Sequence, residues 1–255
     1  MNSLIYFNNC ASTQDELIDF LNQHYLSEDF LAVYTFNQTK GRGQYGNSWE
    51  NLPEENLAYS FALKTKNINV SDTCFNFYTA ILVRDFIANL TKTEVKIKWP
   101  NDLIYNDLKL GGMLMETVQI EQRKYLLLGL GINVNQMVFP GDTQATSLMA
   151  AQNSDLIIKP EDRVPIAIEA LTITLLEGVL AAWKQPLTLA NLYPSMLYKA
   201  AERVTLLDVK TQETFDVTLI GVNHLGQVCV QLANGDEVAY HHGQVRMKYL
   251  CGSTN

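Results

Sequence analysis

Near residue 200 the sequence changes texture, and that change limits the folds open to it. Downstream, short apolar runs at Arg203 to Leu207, Phe215 to Gly221, Gln227 to Leu232, Glu237 to Tyr240 and Val245 to Tyr249 are broken by the turn formers Asn223-His224-Leu225-Gly226 and Asn234-Gly235-Asp236. Five strands in about 50 residues predict a small β-barrel. Upstream, strands and helices are mixed. Leu4 to Phe7 reads as a strand, Ser12 to Glu16 opens a helix carried by Leu17, Ile18, Leu21 and Leu26, and Leu31 to Phe36 returns to strand. Asn37 to Asn51 reads as a loop on its glycines. Leu57 to Leu63 is a further strand, residues 72 to 90 a helix, Val95 to Trp99 a strand, and Leu103 to Tyr105 with Met113 to Gln119 a hairpin about Asn106-Asp107. Tyr125 to Val134 adds a strand and Arg163 to Trp183 a long helix. Without regular βαβ repetition this predicts an α+β mixed sheet rather than a doubly wound one. The expected domains are 1–198 and 199–255, the change falling between Tyr193 and Glu202.

Composition excludes several classes of function. The net charge is −8, and Asp15, Glu16, Asp19, Glu28 and Asp29 precede the first basic residue, Lys40, so a general nucleic-acid binder is disfavoured. The same absence of early basic residues argues against a secretion or organelle signal. Apolar stretches such as Leu126 to Val134 fall short of the roughly 18 to 20 residues of a bilayer span, and a cytoplasmic protein with no membrane contact is expected. Cys10, Cys74, Cys229 and Cys251 form no CxxC pair and read as reduced thiols. His24, His224, His241 and His242 lack metal-ligand spacing, so no protein metal site is expected; the adjacent His241 and His242 would point to opposite sides of a strand.

Three segments carry chemistry. In Lys40-Gly41-Arg42-Gly43-Gln44-Tyr45-Gly46-Asn47-Ser48-Trp49, glycines let backbone amides approach an anion, Arg42 adds a fixed cation and Trp49 a stacking face. A flexible surface turn explains the glycines equally well, and neither a phosphate-loop ending nor a dinucleotide fingerprint is present. Lys96-Ile97-Lys98-Trp99-Pro100-Asn101-Asp102, with Lys109-Leu110-Gly111-Gly112 shortly after, gathers cations, an amide and a carboxylate about one turn; Lys98 as a solvated charge and Asp102 as a turn former are the plainer reading. In Gly129-Leu130-Gly131-Ile132-Asn133-Val134-Asn135, glycines interrupt an apolar strand, by a bulge or by close approach of another group.

Together these segments resemble the biotin protein ligases. The resemblance rests on Ser12-Thr13-Gln14, Gln38, GRGQYGNSW at 41–49, KWPND at 98–102, KLGG at 109–112 and GLGINVN at 129–135, in order along nearly the whole chain. It implies a biotin-lipoate ligase fold, similar to class II aminoacyl-tRNA synthetases, followed by an SH3-like barrel. The implied reaction has two steps: biotin and ATP, with Mg2+, give biotinyl-5′-AMP, and a lysine of a biotin carboxyl carrier protein domain then takes the biotinyl group. Two anions about 4 Å apart repel by about 4 kcal/mol at an effective dielectric near 20, so cations are required between carboxylate and phosphate.

By resemblance, Arg42, Lys98, Asp102 and Lys109 are the catalytic candidates. Ser12, Thr13, Gln38, Gly41, Arg42, Gln44, Lys109, Gly112 and Leu114 would hold biotin. Arg42, Gly43, Gly46, Trp49, Lys98, Asn101, Asp102, Ile132 and Asn133 would hold the nucleotide. Thr13-x-x-Glu16 also fits a capping box, which is the structural reading of that pair. Some relatives carry Arg where Gln44 and Asn47 stand here, so basic contacts from those positions do not carry over. Arg246 is read equally as a contact to the nucleotide or the acceptor and as a surface residue. Some relatives also carry an N-terminal helix-turn-helix; Ser12 lies too near the start to leave room for one, and no DNA binding is expected. An exposed sheet edge would allow a homodimer. The competing readings are a lipoate or octanoate ligase or transferase, and a non-catalytic biotin sensor.

Overall fold

The computed structural model describes residues 3–23, 30–49, 52–65, 72–140, 144–152, 166–167, 172, 174, 177 and 194–248. Seven strands form one mixed sheet: β1 (Ser3–Tyr6), β2 (Phe30–Thr35), β5 (Asn56–Lys64), β6 (Lys96–Lys98), β7 (Asp102–Tyr105), β8 (Leu108–Ile120) and β9 (Arg123–Asn133), in the order β1-β2-β5-β9-β8-β7-β6. Only β1 and β2 run parallel, with α1 (Thr13–Gln23) between them in sequence; the other neighbours are antiparallel. The expected mixed sheet is therefore present.

The segment read as a loop holds a two-stranded ribbon, β3 (Gly41–Arg42) with β4 (Ser48–Trp49), closed by a 3-10 turn at Gln44–Gly46. Its glycines had hidden a strand pairing only two residues long on each side. At the β7–β8 turn Asn106 and Asp107 both take left-handed backbone, φ 46 and 62, the twist a tight hairpin needs.

Strand alternation divides the core between two helices. Leu31 and Val33, Ala62, Tyr125 and Leu127 face α1, where Leu17 and Leu21 are buried. Ala32 and Tyr34, Tyr59 and Phe61, Leu126, Leu128 and Leu130 face the other way, into the core that includes Phe75, Phe77, Ile81 and Ile87 of α2 (Asp72–Thr91). A short α3 (Leu148–Gln152) follows. Leu26 lies outside the described residues, as does most of Arg163 to Trp183; Thr172, Thr174 and Glu177 within that stretch are helical.

The second sheet comprises β10 (Arg203–Asp208), β11 (Thr214–Val222), β12 (Val228–Gln231), β13 (Glu237–Tyr240) and β14 (Val245–Met247), all antiparallel in the order β13-β12-β11-β10-β14. All five predicted strands are found. Their inward residues, including Val204, Leu219 and Val230, join the α2-side core. Tyr198 N donates to Ile97 O at 2.8 Å and Trp99 Nε1 to Gly226 O at 3.0 Å, so the two sheets are fastened beside the β6–β7 turn. No helix among the described residues is long and apolar enough to cross a membrane.

Candidate active site

The α1 face of the large sheet is only half covered. Beyond the N-terminus of α1, that face carries Ala58 and Ser60 of β5, Gly129 and Gly131 of β9, and Gly112 and Leu114 of β8. Register places Ala58 beside Gly131 and Gly131 beside Gly112 on one rung, with Ser60 beside Gly129 and Gly129 beside Leu114 on the next. Two rungs largely stripped of side-chain bulk thus floor a cavity of about 420 Å³. A Cβ added at Gly131 would lie 2.4 Å from Trp49 Cε2, and one at Gly129 would lie 3.0 Å from Gln14 Cδ. The indole of Trp49 therefore rests on Gly131 and the amide of Gln14 on Gly129, so close approach is what these glycines permit.

One end of the cavity is a buried polar recess. Gln38 Oε1 accepts from Thr13 N at 2.8 Å and from Thr13 Oγ1 at 3.2 Å, and Thr13 Oγ1 lies 2.8 Å from Ser60 Oγ. Because the Thr13 proton goes to Gln38, Ser60 donates to Thr13, leaving acceptor lone pairs on Ser60 and the amide protons of Gln38 at the recess. Gln14 Nε2 donates to Leu114 O at 3.3 Å. The helix cap is Ser12, whose Oγ accepts from Asp15 N at 3.4 Å; Thr13 is already helical and turns into the cavity, which corrects the capping-box assignment.

The other end is charged. Lys98 and Asp102 pair across the β6–β7 turn, where Asn101 N donates to Lys98 O at 3.1 Å and the Trp99–Pro100 peptide is cis. Asp102 Oδ1 is 2.7 Å from Lys109 Nζ, which in turn lies 5.7 Å from the centre of the Trp49 ring. Lys98 is buried, and burial lowers its ammonium to about 8 against the opposing pull of Asp102, with Lys109 adding to the lowering.

Lys109 and Gly112 are three residues apart and would face opposite sides of a regular strand. The register between β7 and β8 runs Leu103 to Gly111 and then Ile104 to Lys109, an extra residue on β8 that brings both to one side. A Cβ at Gly112 would accordingly lie 2.8 Å from Asp102 Oδ1 and 3.1 Å from Lys109 Nζ.

Most of the predicted residues meet here: Ser12, Thr13, Gln38, Arg42, Gly43, Gln44, Trp49, Lys98, Asn101, Asp102, Lys109, Gly112 and Leu114 all line the cavity. Arg42 differs from expectation in direction. Its guanidinium forks onto Glu116, Nη1 to Oε1 at 3.1 Å and Nη2 to Oε2 at 3.0 Å, and Nη2 also lies 3.0 Å from Asp15 Oδ1.

Gly41, Gly46, Ile132 and Asn133 do not line the cavity. Gly41 gives close passage to Gln38 and the Trp49 carbonyl, and Gly46 makes the ribbon turn with φ 80. Ile132 is core, and Asn133 Nδ2 reaches Thr146 O at 3.0 Å and Lys109 O at 3.5 Å, bracing the Lys109 backbone.

Sequence reasoning assigned no ligand contact to Gln14, Ser60 or Gly129; Gln14 lay inside a quoted motif, Gly129 was read as a bulge or a close approach, and Ser60 was a polar break in an apolar run. Arg246, with Leu207 and Val245, brings the second sheet to the charged end. His242 is half-buried there, its ring 6.0 Å from that of Trp99 and its Nε2 3.4 Å from Gln44 Oε1, whereas His241 is exposed. No group of three or more His, Cys, Asp or Glu side chains disposed to hold a metal occurs among the described residues.

A mixed sheet thus carries a glycine-floored cavity with a polar recess at one end and a cation cluster at the other. The chain belongs to the biotin/lipoate A/B protein ligase family, whose model matches residues 6–133. Biotin–protein ligase 2 of Arabidopsis thaliana is 38% identical over 105 residues, covering 38% of this chain and 31% of that protein. The biotin–[acetyl-CoA-carboxylase] ligase of Mycobacterium tuberculosis is 29% identical over 160 residues, covering 61% and 56%. The chain thus spans less than two thirds of the length of either relative. Among solved structures, a biotin protein ligase from Aquifex aeolicus in complex with biotin and ATP shares the fold with a TM-score of 0.79 at 22% identity, covering 98% of this chain and 100% of that one. A biotin acetyl coenzyme A carboxylase synthetase from Helicobacter pylori matches with a TM-score of 0.64 at 20% identity, covering 94% and 100%.

Proposed function

We propose that the chain is a biotin–protein ligase, activating biotin with ATP and transferring it to a lysine of a biotin carboxyl carrier protein domain. One observation carries this reading: a recess offering both donors and acceptors and a cluster of buried and half-buried cations share one glycine-floored cavity. A ureido head needs acceptors for its N–H groups and donors for its oxygen, which Ser60 and Gln38 offer, whereas an alkyl or dithiolane tail would leave them unpaired. That disfavours the lipoate or octanoate reading. The curated relatives above are named as biotin ligases, which supports the same choice.

In the first step a biotin carboxylate oxygen attacks the α-phosphorus of ATP and pyrophosphate leaves. Lys98 and Lys109 reduce the repulsion between the two anions, and Trp49 offers its face to adenine. ATP enters as its magnesium complex. Asp102 fits a shared carboxylate rather than a metal cage because it already pairs with Lys109, so the triphosphate would carry most of the cation's coordination. In the second step an acceptor lysine nitrogen attacks the acyl carbonyl and AMP departs. Only about one such amine in a few thousand is neutral at pH 7, and in this reading Asp102 takes its proton.

Residues 1–198 form the catalytic domain in this reading and 199–255 an SH3-like barrel that contributes Arg246 to the nucleotide end. Cys10, Cys74 and Cys229 are free thiols, in keeping with a cytoplasmic setting. ATP–pyrophosphate exchange with magnesium, run with biotin, lipoate, octanoate or no acid, tests the proposal. Exchange that requires biotin is expected. Exchange with lipoate or octanoate alone would move the assignment to the neighbouring branch, and biotin binding without exchange would make the chain a sensor.

A further inference from the structure

Beside Trp49, seated on Gly131, and Gln44, in reach of His242, Arg42 fastens the glycine-rich ribbon by charge, and its partners come from the two elements that build the biotin end. Asp15 is in the first turn of α1, directly after Ser12, Thr13 and Gln14. Glu116 is on β8, two residues beyond Leu114. Exposed ion pairs are generally weak, but a two-pronged guanidinium–carboxylate pair reinforced by a second carboxylate is the arrangement that resists solvent best. The β3–β4 ribbon is only two residue pairs wide, so its backbone bonds alone would hold it weakly.

We propose that Asp15 and Glu116 are positioning residues that clasp Arg42, locking the ribbon over the cavity and retaining the acyl-adenylate until the acceptor lysine arrives. Two carboxylates face one guanidinium. The clasp therefore keeps a net negative charge, and Arg42 is held at the cavity mouth rather than drawn inward onto Asp102. The retention half of the proposal rests on the ligase reading; the clasp itself does not.

The test uses the full chain carrying Glu116→Gln, Asp15→Asn or both, with Glu121→Gln as control, since Glu121 pairs with Arg123 on a neighbouring exposed turn. Amide hydrogen exchange over residues 41–49 reads the clasp without any substrate. Glu116→Gln should speed it about tenfold, the loss of a charge-assisted pair, with the melting temperature and α1 exchange unchanged and Glu116→Asp restoring part of the protection. With biotin and ATP supplied, the fraction of adenylate lost to water, read as free AMP and biotin formed per biotinyl group transferred, should rise by a similar factor while pyrophosphate exchange stays near wild type. Unchanged ribbon exchange in the double variant would overturn the clasp. Faster ribbon exchange in a chain that shows no biotin-dependent pyrophosphate exchange at all would remove the ligase reading and leave the clasp standing. Faster ribbon exchange with unchanged partitioning in an active chain would overturn the retention role.

Discussion

The two ends of the cavity are made by opposite means. At the polar recess, Thr13, Gln38 and Ser60 are buried and bonded to one another, so their positions are fixed before any ligand arrives. At the charged end the cations Lys98 and Lys109 come from the end of β6 and from a bulged strand, and they are balanced by Asp102, while Arg42 is held at the cavity mouth by Asp15 and Glu116. A neutral head group can be met by a rigid set of hydrogen bonds at little cost. Neutralising a developing phosphate charge calls for cations whose mutual repulsion is offset in the absence of ligand, and carboxylates supply that offset. The contrast implies that substitutions at the recess change which acid is bound, while those at the charged end change whether it reacts.

The strongest way to break this contrast is at Lys98, the more deeply buried of the two lysines. Lys98→Met keeps the volume of the stem and removes the charge. Biotin-dependent pyrophosphate exchange should fall by about 10²–10³-fold, as for removal of one preorganised group that stabilises transition-state charge, while biotin binding measured by calorimetry changes little. The sign of the pH dependence follows from the lowered ammonium. Lys98 is charged below about 8 and neutral above it, so exchange at limiting ATP should decline as pH rises through about 8. Lys98→Arg stays charged throughout and should lose that alkaline fall, whatever its absolute rate. An unchanged limb in Lys98→Arg would assign the titration to another group.

A finer division comes from the two floor glycines, which differ by two positions and by the side chain each seats. Gly131→Ala pushes against Trp49, so ATP affinity should weaken, by about 5- to 150-fold if the lost contact resembles other base stacking. Biotin binding should hold. Gly129→Ala pushes against Gln14, and Gln14→Ala in the same chain should relieve it. The single Gly129→Ala variant should weaken biotin with little change toward ATP, and the double variant should recover part of that loss. If both alanines impaired both ligands equally, the cavity would be one cooperative site rather than two separable ends.

This pairing also shows where sequence reasoning stops. Apart from the β3–β4 ribbon, the strands and turns were legible because each is written locally: the apolar run Leu57 to Leu63, the turn formers Asn106-Asp107, the punctuation of the last five strands. Thr13 and Gln38 could be placed through short motifs. Ser60 could not, because its role depends on the register that sets it beside Gly129 of a distant strand. The common face of Lys109 and Gly112 was equally hidden, since strict alternation separates them and only a bulge, which has no reliable sequence mark, reunites them. The direction of Arg42 was illegible for another reason: a long exposed side chain goes to whichever carboxylates the tertiary structure brings near, and Glu116 comes from an element formed far along the chain.

The smallest effect separates the ends by what fastens them. The recess draws on the large sheet, α1 and the segment carrying Gln38, whereas the charged end borrows Leu207, Val245 and Arg246 from the second sheet, which is tied to the β6–β7 turn through Trp99 Nε1 and Gly226 O. Trp99→Phe keeps a ring in that position and deletes the donor, leaving the Gly226 carbonyl to find water. The loss should be about 1 kcal/mol of global stability by denaturant titration, the net value of one neutral hydrogen bond. Hydrogen exchange should show more than that total. Amides of β14 and of the turn around Gly226 should exchange faster, while those of α1 and β5, which build the recess, should keep wild-type protection. Equal acceleration in both regions would mean that the recess depends on the second sheet as much as the charged end does, and the distinction between a preset end and an assembled end would fail.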